Sequence, residues 1–324
     1  MSNAVLVGDI GGTNARFAWI DSSAANAGLQ QVITLATADH SNIDEAIREY
    51  CSRAGIAIPT RACLALACPV DGEDIRMTNN HWFFNRQQLS QALGLQQLKL
   101  VNDFTAQALG MLCVDAADLL PVGAGTALPQ AARLVIGPGT GLGVGSLAYT
   151  PNGWLPLPGE GGHVSLAPHN EQEDAILVGF RRLYGRVSVE RVLSGQGLLD
   201  LYGIMAELRG VAAELDSPAA VSSAALENPD SLAGDVLRQF FRMLGSVAGD
   251  NSLTIGCRGG VYLCGGILPR VRELFLSSPD FRQGFENKGR FREYLAAVPV
   301  WLCVAENPGL LGAAAALDNP LVRG

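Results

Sequence analysis

Twice in this sequence a short apolar run breaks into glycines and then resumes. In AVLVGDIGGTNARFAWI the run Val5-Leu6-Val7 gives way to GDIGGTN, residues 8–14, and Phe17-Ala18-Trp19-Ile20 follows. In LVIGPGTGLGVGSLAY the run Leu134-Val135-Ile136 gives way to GPGTGLGVG, residues 137–145, and Ser146-Leu147-Ala148-Tyr149 follows. Each reads as a strand, a glycine loop and a returning strand, the pattern of a β-hairpin. A chain that writes this unit twice predicts two related lobes. Its 324 residues allow two domains of ordinary size, since single cores stop growing near about 250–300 residues.

Residues 62–67 and 98–101 read as short buried strands, and residues 104–112 as a helix. Asn102 and Asp103 therefore fall at a strand-to-helix junction, and ligands of α/β folds bind at the carboxyl ends of strands. Leu232, Val236, Leu237, Phe240, Phe241, Leu244 and Ala248 repeat at helical spacing. Residues 171–184 carry acids at the start and arginines near the end, as a helix dipole prefers. Residues 261–264 form a further strand running into Gly265-Gly266, and 298–304 another. The chain closes in a helix with Asn307 as N-cap, Pro308 in the first turn and an alanine-rich body over 312–317. Residues 212–230 lack periodicity and read as a surface connection. No low-complexity linker marks a domain boundary, which predicts a broad, hinged interface.

With 48% hydrophobic residues, 17% charged and a net charge of −8, the composition is that of a soluble globular protein that repels nucleic acid and anionic membrane. A neutral or metal-chelated ligand fits better. The start, MSNAVLVGDI, has no positive n-region, and no stretch approaches the roughly 18 apolar residues of a membrane span. Seven cysteines are an odd number, lie among apolar neighbours and form no CxxC pair, which argues against disulfide or zinc frameworks. The expectation is a reducing cytoplasm and mostly buried thiols.

Glycine turns expose backbone N–H groups that can surround phosphate oxygens, and two such turns suggest several phosphates. Neither familiar fingerprint applies: GxxxxGK[ST] is absent, and the nearest GxGxxG/A match, 143–148, lies inside the second hairpin and opens no helix. The first loop carries Asp9 after Gly8, with Arg16 beyond, whereas the second has Pro138 and no charge over 137–145. An acid facing a polyphosphate repels it unless a divalent cation intervenes, so Asp9 suits a Mg²⁺ neighbour, direct or through water; the alternative is an acid that caps a turn. In LPGEGGHVSL, Glu160 and His163 share a glycine loop, and both can bond hydroxyl groups. Glu190, in VSVERVLSG, could do the same, or could serve a helix dipole or pair with Arg186 or Arg191. Asn102-Asp103 could likewise be an ordinary N-cap pair.

Together these residues resemble the bacterial ATP-dependent glucokinase family, within the actin-like, hexokinase-like sugar kinases. GDIGGTNAR is similar to its first phosphate segment, GPGTGLGVG to its second and VYLCGGI to its adenosine segment, while LVNDF, GEGGH and ERVLSG are similar to its sugar-contacting segments. The likeness spans nearly the whole chain in the expected order. It implies an α/β, two-lobed actin-like ATPase (ribonuclease H-like) fold with an active-site cleft between a smaller domain, 1–113 plus 304–324, and a larger one, 114–303. It implies transfer of the ATP γ-phosphate to the 6-hydroxyl of D-glucose, the first step of glycolysis, by a cytoplasmic homodimer without nucleic-acid or membrane partners.

Carried over by resemblance, Asp103 is the base, and Asn102, Glu160, His163 and Glu190 bind the remaining sugar hydroxyls. Gly8, Asp9, Gly11, Gly12, Thr13 and Asn14 belong to the first phosphate segment, with Asp9 near Mg²⁺; Gly139, Thr140 and Gly141 complete the second phosphate contact, and Gly265 and Gly266 admit the adenosine. The family fold further implies that sugar binding draws the lobes together, which keeps water from the γ-phosphate. The chain departs from repressor-like sugar kinases in having no cysteine near His163 and no N-terminal DNA-binding segment. A kinase of another hexose on the same fold is the close alternative, and a non-catalytic sugar sensor the distant one, since sensing alone needs no base.

Overall fold

The structure is a computed structural model describing residues 4–23 and 28–322; the ends of the expected small domain, 1–3 and 323–324, lie outside the described residues, as do 24–27. The chain divides into two compact units, Met1–Ala116 with Ser146–Pro158 and Ala305–Gly324, and Ala117–Gly145 with Gly159–Val304. The first unit thus contains 146–158, which the expected boundaries assign to the larger domain.

The first unit opens with β1 (Ala4–Ile10), β2 (Asn14–Asp21), β3 (Gln30–Ala36) and α1 (Ile43–Ala54). It continues through β4 (Arg61–Leu66), the small hairpin β5 (Asp74–Arg76) and β6 (Phe83–Asn85), α2 (Arg86–Leu93), β7 (Gln97–Asn102) and α3 (Asp103–Gly110). Its sheet has the order β3-β2-β1-β4-β7, an antiparallel meander joined to parallel β4 and β7. The parallel strands read as continuous apolar runs because both faces are covered: Ala62, Cys63, Leu64, Ala65 and Leu66 are all fully buried. Asn42 and Asn85 cap α1 and α2 at their N-termini, and Gly55 and Gly94 end the same helices in the left-handed conformation.

Next come β8 (Leu119–Pro121), β9 (Arg133–Pro138), β10 (Leu142–Thr150) and β11 (Gly153–Leu157), followed by α4 (Glu171–Tyr184), α5 (Val189–Val192), α6 (Gly195–Leu208), α7 (Pro218–Glu227) and α8 (Leu232–Ile255). Then follow β12 (Val261–Leu263), α9 (Arg272–Ser277), α10 (Asp280–Glu286), α11 (Arg292–Ala296), β13 (Val300–Cys303) and α12 (Pro308–Asp318). The second sheet has the order β11-β10-β9-β12-β13-β8, with β9, β12 and β13 parallel. Apart from the added edge strand β8, this repeats the first sheet, so the two copies seen in the sequence are two copies of one topology. The chain crosses from one unit to the other within β10.

The helix expected over 232–248 extends to Ile255, with Val236, Leu237, Phe240, Phe241 and Leu244 in the core of the second unit. Gly245 on α8 and Gly284 on α10 let those helices touch: a Cβ on either would lie 2.0 Å from a carbonyl oxygen of the other helix. Three readings are corrected. Both glycine loops are shorter than expected, since Gly8, Asp9 and Ile10 belong to β1 and residues 142–145 to β10; the turns proper are 11–13 and 139–141. The connection 212–230 contains α7, begun by the Ser217 cap and Pro218 and anchored by buried Val221 and Ala225 among small residues that give little periodic signal. Asn307 does precede α12, but at φ 56° its side chain makes no capping bond.

In the first unit α12 packs on α3 through glycines. A Cβ at Gly312 would lie 1.6 Å from the Ala106 carbonyl oxygen, and one at Gly110 2.1 Å from that of Pro308. The far end of α12 is satisfied from the sheet: Lys99 Nζ donates to the carbonyls of Ala316 and Asn319 at 3.0 and 2.9 Å, as a cation at a helix C-terminus should.

Candidate active site

In the first unit, strand register assembles the candidate residues. Ile10 of β1 stands beside Leu66 of β4, which stands beside Asn102 of β7. The turn 11–13 and the Asn102-Asp103 junction therefore leave the same carboxyl edge of three parallel strands, where α/β folds place their chemistry.

The turn is held by its carbonyls. Asn80 Nδ2 donates to Gly11 O at 3.0 Å, Thr37 Oγ1 to Gly12 O at 2.8 Å and the Thr37 N–H to Thr13 O at 2.9 Å. In a trans peptide the N–H points opposite to the preceding carbonyl, so these bonds aim the N–H groups of Gly12, Thr13 and Asn14 the other way. Successive N–H groups turned away from bonded carbonyls are what a cradle for phosphate oxygens needs. Gly12 lies so close to Asn79 that a Cβ would meet Asn79 Cβ at 2.8 Å and its carbonyl oxygen at 2.9 Å. The sequence reading missed Thr37, Asn79 and Asn80; their only signal is a polar NN pair before a buried Trp82, which names no partner in advance. Gly8 is buried in β1, where a Cβ would meet Leu64 and Ile10, so its place is packing beneath the turn.

Asp9 sits one residue before the end of β1 with about a quarter of its side chain exposed. Burial raises its carboxyl above the ordinary value, and the Arg16 guanidinium at 4.0 Å opposes that shift. Gly309, in the first turn of α12, leaves room for this carboxylate: a Cβ there would lie 2.9 Å from Asp9 Oδ2. No group of three or more His, Cys, Asp or Glu among the described residues could cage a metal. A single carboxylate fits Mg²⁺ all the same, because that ion keeps waters and substrate phosphates as its other ligands.

At the junction, Asn102 is the N-cap of α3: its Oδ1 accepts from the N–H groups of Phe104 at 2.9 Å and Thr105 at 3.3 Å. The capping alternative is thus correct for this atom, and it fixes the side chain with its amide NH₂ as the group to meet a hydroxyl. Asp103 is the first residue of α3, and its Oδ1 accepts from the Phe104 N–H at 2.9 Å. Its charge reaches the Cys68 thiol, which burial first and Asp103 second push up to about 11.

In the second unit three side chains converge. His163 Nε2 is 3.9 Å from Glu160 Oε2, and its Nδ1 is 3.8 Å from Glu190 Oε1. Short backbone links bring them together: Ser165 bridges Ser188, Val189 N–H donates to Val164 O at 2.9 Å, and Arg186 donates to His163 O at 2.8 Å. Arg186 therefore serves a carbonyl and Arg191 lies over the Tyr184 ring, while Glu190 faces the histidine. The glycines of GEGGH are packing devices, since a Cβ at Gly161 would meet Val144 and one at Gly162 the Leu142 carbonyl oxygen at 2.1 Å. A row of acids and an imidazole with exposed faces suits the hydroxyls of a sugar.

The turn 139–141 lies at the end of β9, closed by Gly139 N–H donating to Gly141 O at 2.8 Å, with Thr140 exposed. Gly265 has φ +82°, and a Cβ there would lie 2.4 Å from Pro138 O; Ile267 N–H donates to the same carbonyl at 3.3 Å. Gly139, Thr140 and Gly141 are thereby brought beside Gly265 and Gly266. The match at 143–148 falls within β10, which leads into β11 and not into a helix, so the dinucleotide fingerprint is excluded.

Repeated meander-plus-crossover sheets, each with a glycine turn at its strand edge, are the plan of the two-lobed actin-like fold. The sequence profile of the Glucokinase family matches residues 6–320. Among curated proteins, the chain is 50% identical over 318 residues to the glucokinase of Hahella chejuensis, covering 98% of each chain. It is 48% identical over 319 residues to that of Chromohalobacter salexigens, covering 98% of this chain and 99% of the relative. The crystal structure of a glucokinase from an Antarctic psychrotroph superposes with a TM-score of 0.88 at 37% identity, covering 98% of this chain and all of that one. The chain belongs to the glucokinase family.

Proposed function

We infer that this protein is a glucokinase, which transfers the γ-phosphate of ATP to the 6-hydroxyl of D-glucose and yields glucose 6-phosphate and ADP, the first step of glycolysis. The observation that carries the reading is the end-to-end match to glucokinases at about half identity, with the polar residues singled out above lying inside it. Asp103 takes the proton from the 6-hydroxyl as that oxygen attacks in line. Asn102, Glu160, His163 and Glu190 hold the remaining hydroxyls, so that one oxygen is presented for attack. Phosphoryl transfer needs positioning and charge stabilisation rather than a covalent nucleophile, and the N–H groups of Gly12, Thr13 and Asn14 together with Thr140 and Gly141, on the turn that Gly139 closes, supply donors to the phosphates. Gly265 and Gly266 give the adenosine a flat backbone to lie against. Asp9, directly or through water, holds Mg²⁺, which when bound neutralises phosphate charge. The family likeness extends the reading to a homodimer working in the cytoplasm, and sedimentation velocity tests the dimer.

The function is tested by following ADP release from Mg-ATP with no sugar, glucose, fructose, mannose and N-acetylglucosamine in parallel. Glucose-stimulated release is the expected result. Release with another sugar alone overturns the substrate and keeps the chemistry, whereas no stimulation by any sugar overturns the kinase reading.

A further inference from the structure

Glu190 has two carboxylate oxygens with different surroundings. Oε1 faces His163 at 3.8 Å, on the side assigned to the sugar, whereas Oε2 accepts the Leu142 N–H at 2.9 Å. Leu142 immediately follows the turn 139–141. Gly195, at the start of α6 and five residues beyond Glu190, donates its N–H to Gly139 O at 2.8 Å on the other flank of the same turn. The phosphate turn is therefore gripped at both ends by the ERVLSG segment, and one of the two grips is the carboxylate of a sugar contact.

Gly141 shows what the grip requires. It does not have a positive φ, so glycine is not demanded there by backbone conformation. A Cβ at this position would instead lie 2.4 Å from Glu190 Oε2 and 3.2 Å from Glu190 Cδ. The missing side chain is room for the carboxylate.

We propose that Glu190 is a positioning residue for the nucleotide as well as a contact for the sugar, coupling the two substrates through the Leu142 N–H and the turn 139–141. The proposal rests on the reading of Glu190 as a sugar contact. A sugar hydroxyl that donates to Oε1 fixes the carboxylate, the fixed carboxylate holds Oε2 on the Leu142 N–H, and the turn is then set for phosphate. Linkage makes the effect mutual: nucleotide that orders the turn presents a better-fixed carboxylate to the sugar. A hydrogen bond to a charged group is strong enough to transmit about a tenfold change in affinity.

The test is a crossed pair of binary titrations by calorimetry, each made in the absence of the other substrate. Gly141→Ala, a change in the phosphate turn, is titrated with glucose alone. Glu190→Ala, a change in the sugar site, is titrated with the non-hydrolysable ATP analogue AMPPNP alone, and thermal melting verifies that both variants are folded. Each dissociation constant is expected to rise about tenfold over wild type, a change that a carboxylate serving only the sugar does not produce in the AMPPNP titration. A glucose affinity unchanged in Gly141→Ala, or an AMPPNP affinity unchanged in Glu190→Ala, overturns the proposal. Should Gly141→Ala not fold, the AMPPNP titration of Glu190→Ala decides alone. Wild-type protein that binds AMPPNP but not glucose fails in a different place: it overturns the sugar reading itself, and the coupling with it.

Discussion

Asp9 and Asp103 are both acids beside a turn or helix start, yet their surroundings give them different tasks. Asp103 is the first residue of α3, beside the cap Asn102, and with Asp103 as the proposed base, replacing it by Asn keeps the shape while removing the proton acceptor. Asp103→Asn is expected to retain most glucose affinity and lose about 10²- to 10⁴-fold in kcat; near-normal turnover would remove Asp103 from the mechanism. For Asp9 the pH dependence has a definite sign. A carboxyl whose folded pKa is raised contributes stability below its unfolded value, near 3.8, and that contribution is lost as pH rises through the folded value. At pH above the unfolded value, neutral pH included, Asp9 is thus a standing cost. Asp9→Asn should melt higher than wild type at pH 7, with the gap closing as the pH falls towards 4, while turnover with Mg-ATP drops. A variant no more stable than wild type at pH 7 would show that Asp9 is not desolvated. Both residue identities were legible in the sequence, Asp9 because an acid among glycines stands out and Asp103 because a polar Asn-Asp pair ends an apolar run; the pairings of Asp9 were not, since Arg16 and Gly309 meet it only through the fold.

At the scale of elements, the sequence reading found the strands and misjudged their ends. Gly8, Asp9 and Ile10 looked like loop because glycine and an acid break an apolar run, yet ladder partners on both sides, in β2 and β4, keep the strand going. The same error lengthened the second loop by residues 142–145, which belong to β10. What remains of the first turn is held by residues from elsewhere in its unit, Thr37 and Asn80, and nothing in GDIGGTNAR announces them. Thr37→Val and Asn80→Ala each remove one donor to a turn carbonyl, a bond worth about 1 kcal/mol. Each is expected to raise the KM for ATP about fivefold with little change in the KM for glucose. Equal changes in both constants would show that these residues support the fold in general and not the turn.

Over the whole molecule, the expectation of mostly buried thiols matches the structure in six of seven positions, with Cys113 the exposed one. A thiol reagent should therefore find about one reactive group in the native protein and seven after denaturation. Partial desolvation by the surrounding chain raises the Cys113 thiol above its ordinary value even so, and that single reaction should quicken as the pH rises towards 9. Fast modification of several thiols in the native state would mean that the cores around β4 or β12 open readily. The doubled topology was also legible, because each sheet begins with its own glycine-broken hairpin. The segmentation of the units was not, since it depends on where α12 and the segment 146–158 pack. That segmentation has a consequence for how the protein is made. The first sheet leaves the ribosome early, but α12, whose glycine-lined face closes against α3 and whose C-terminal carbonyls need Lys99, is synthesised roughly two hundred residues later. At about 5–20 residues per second the opening third of the polypeptide waits tens of seconds for its last helix, with an apolar surface uncovered. During translation it is a natural client for chaperones, and a message cut short before α12 yields a chain that contains nearly every site residue and cannot complete the core beneath half of them.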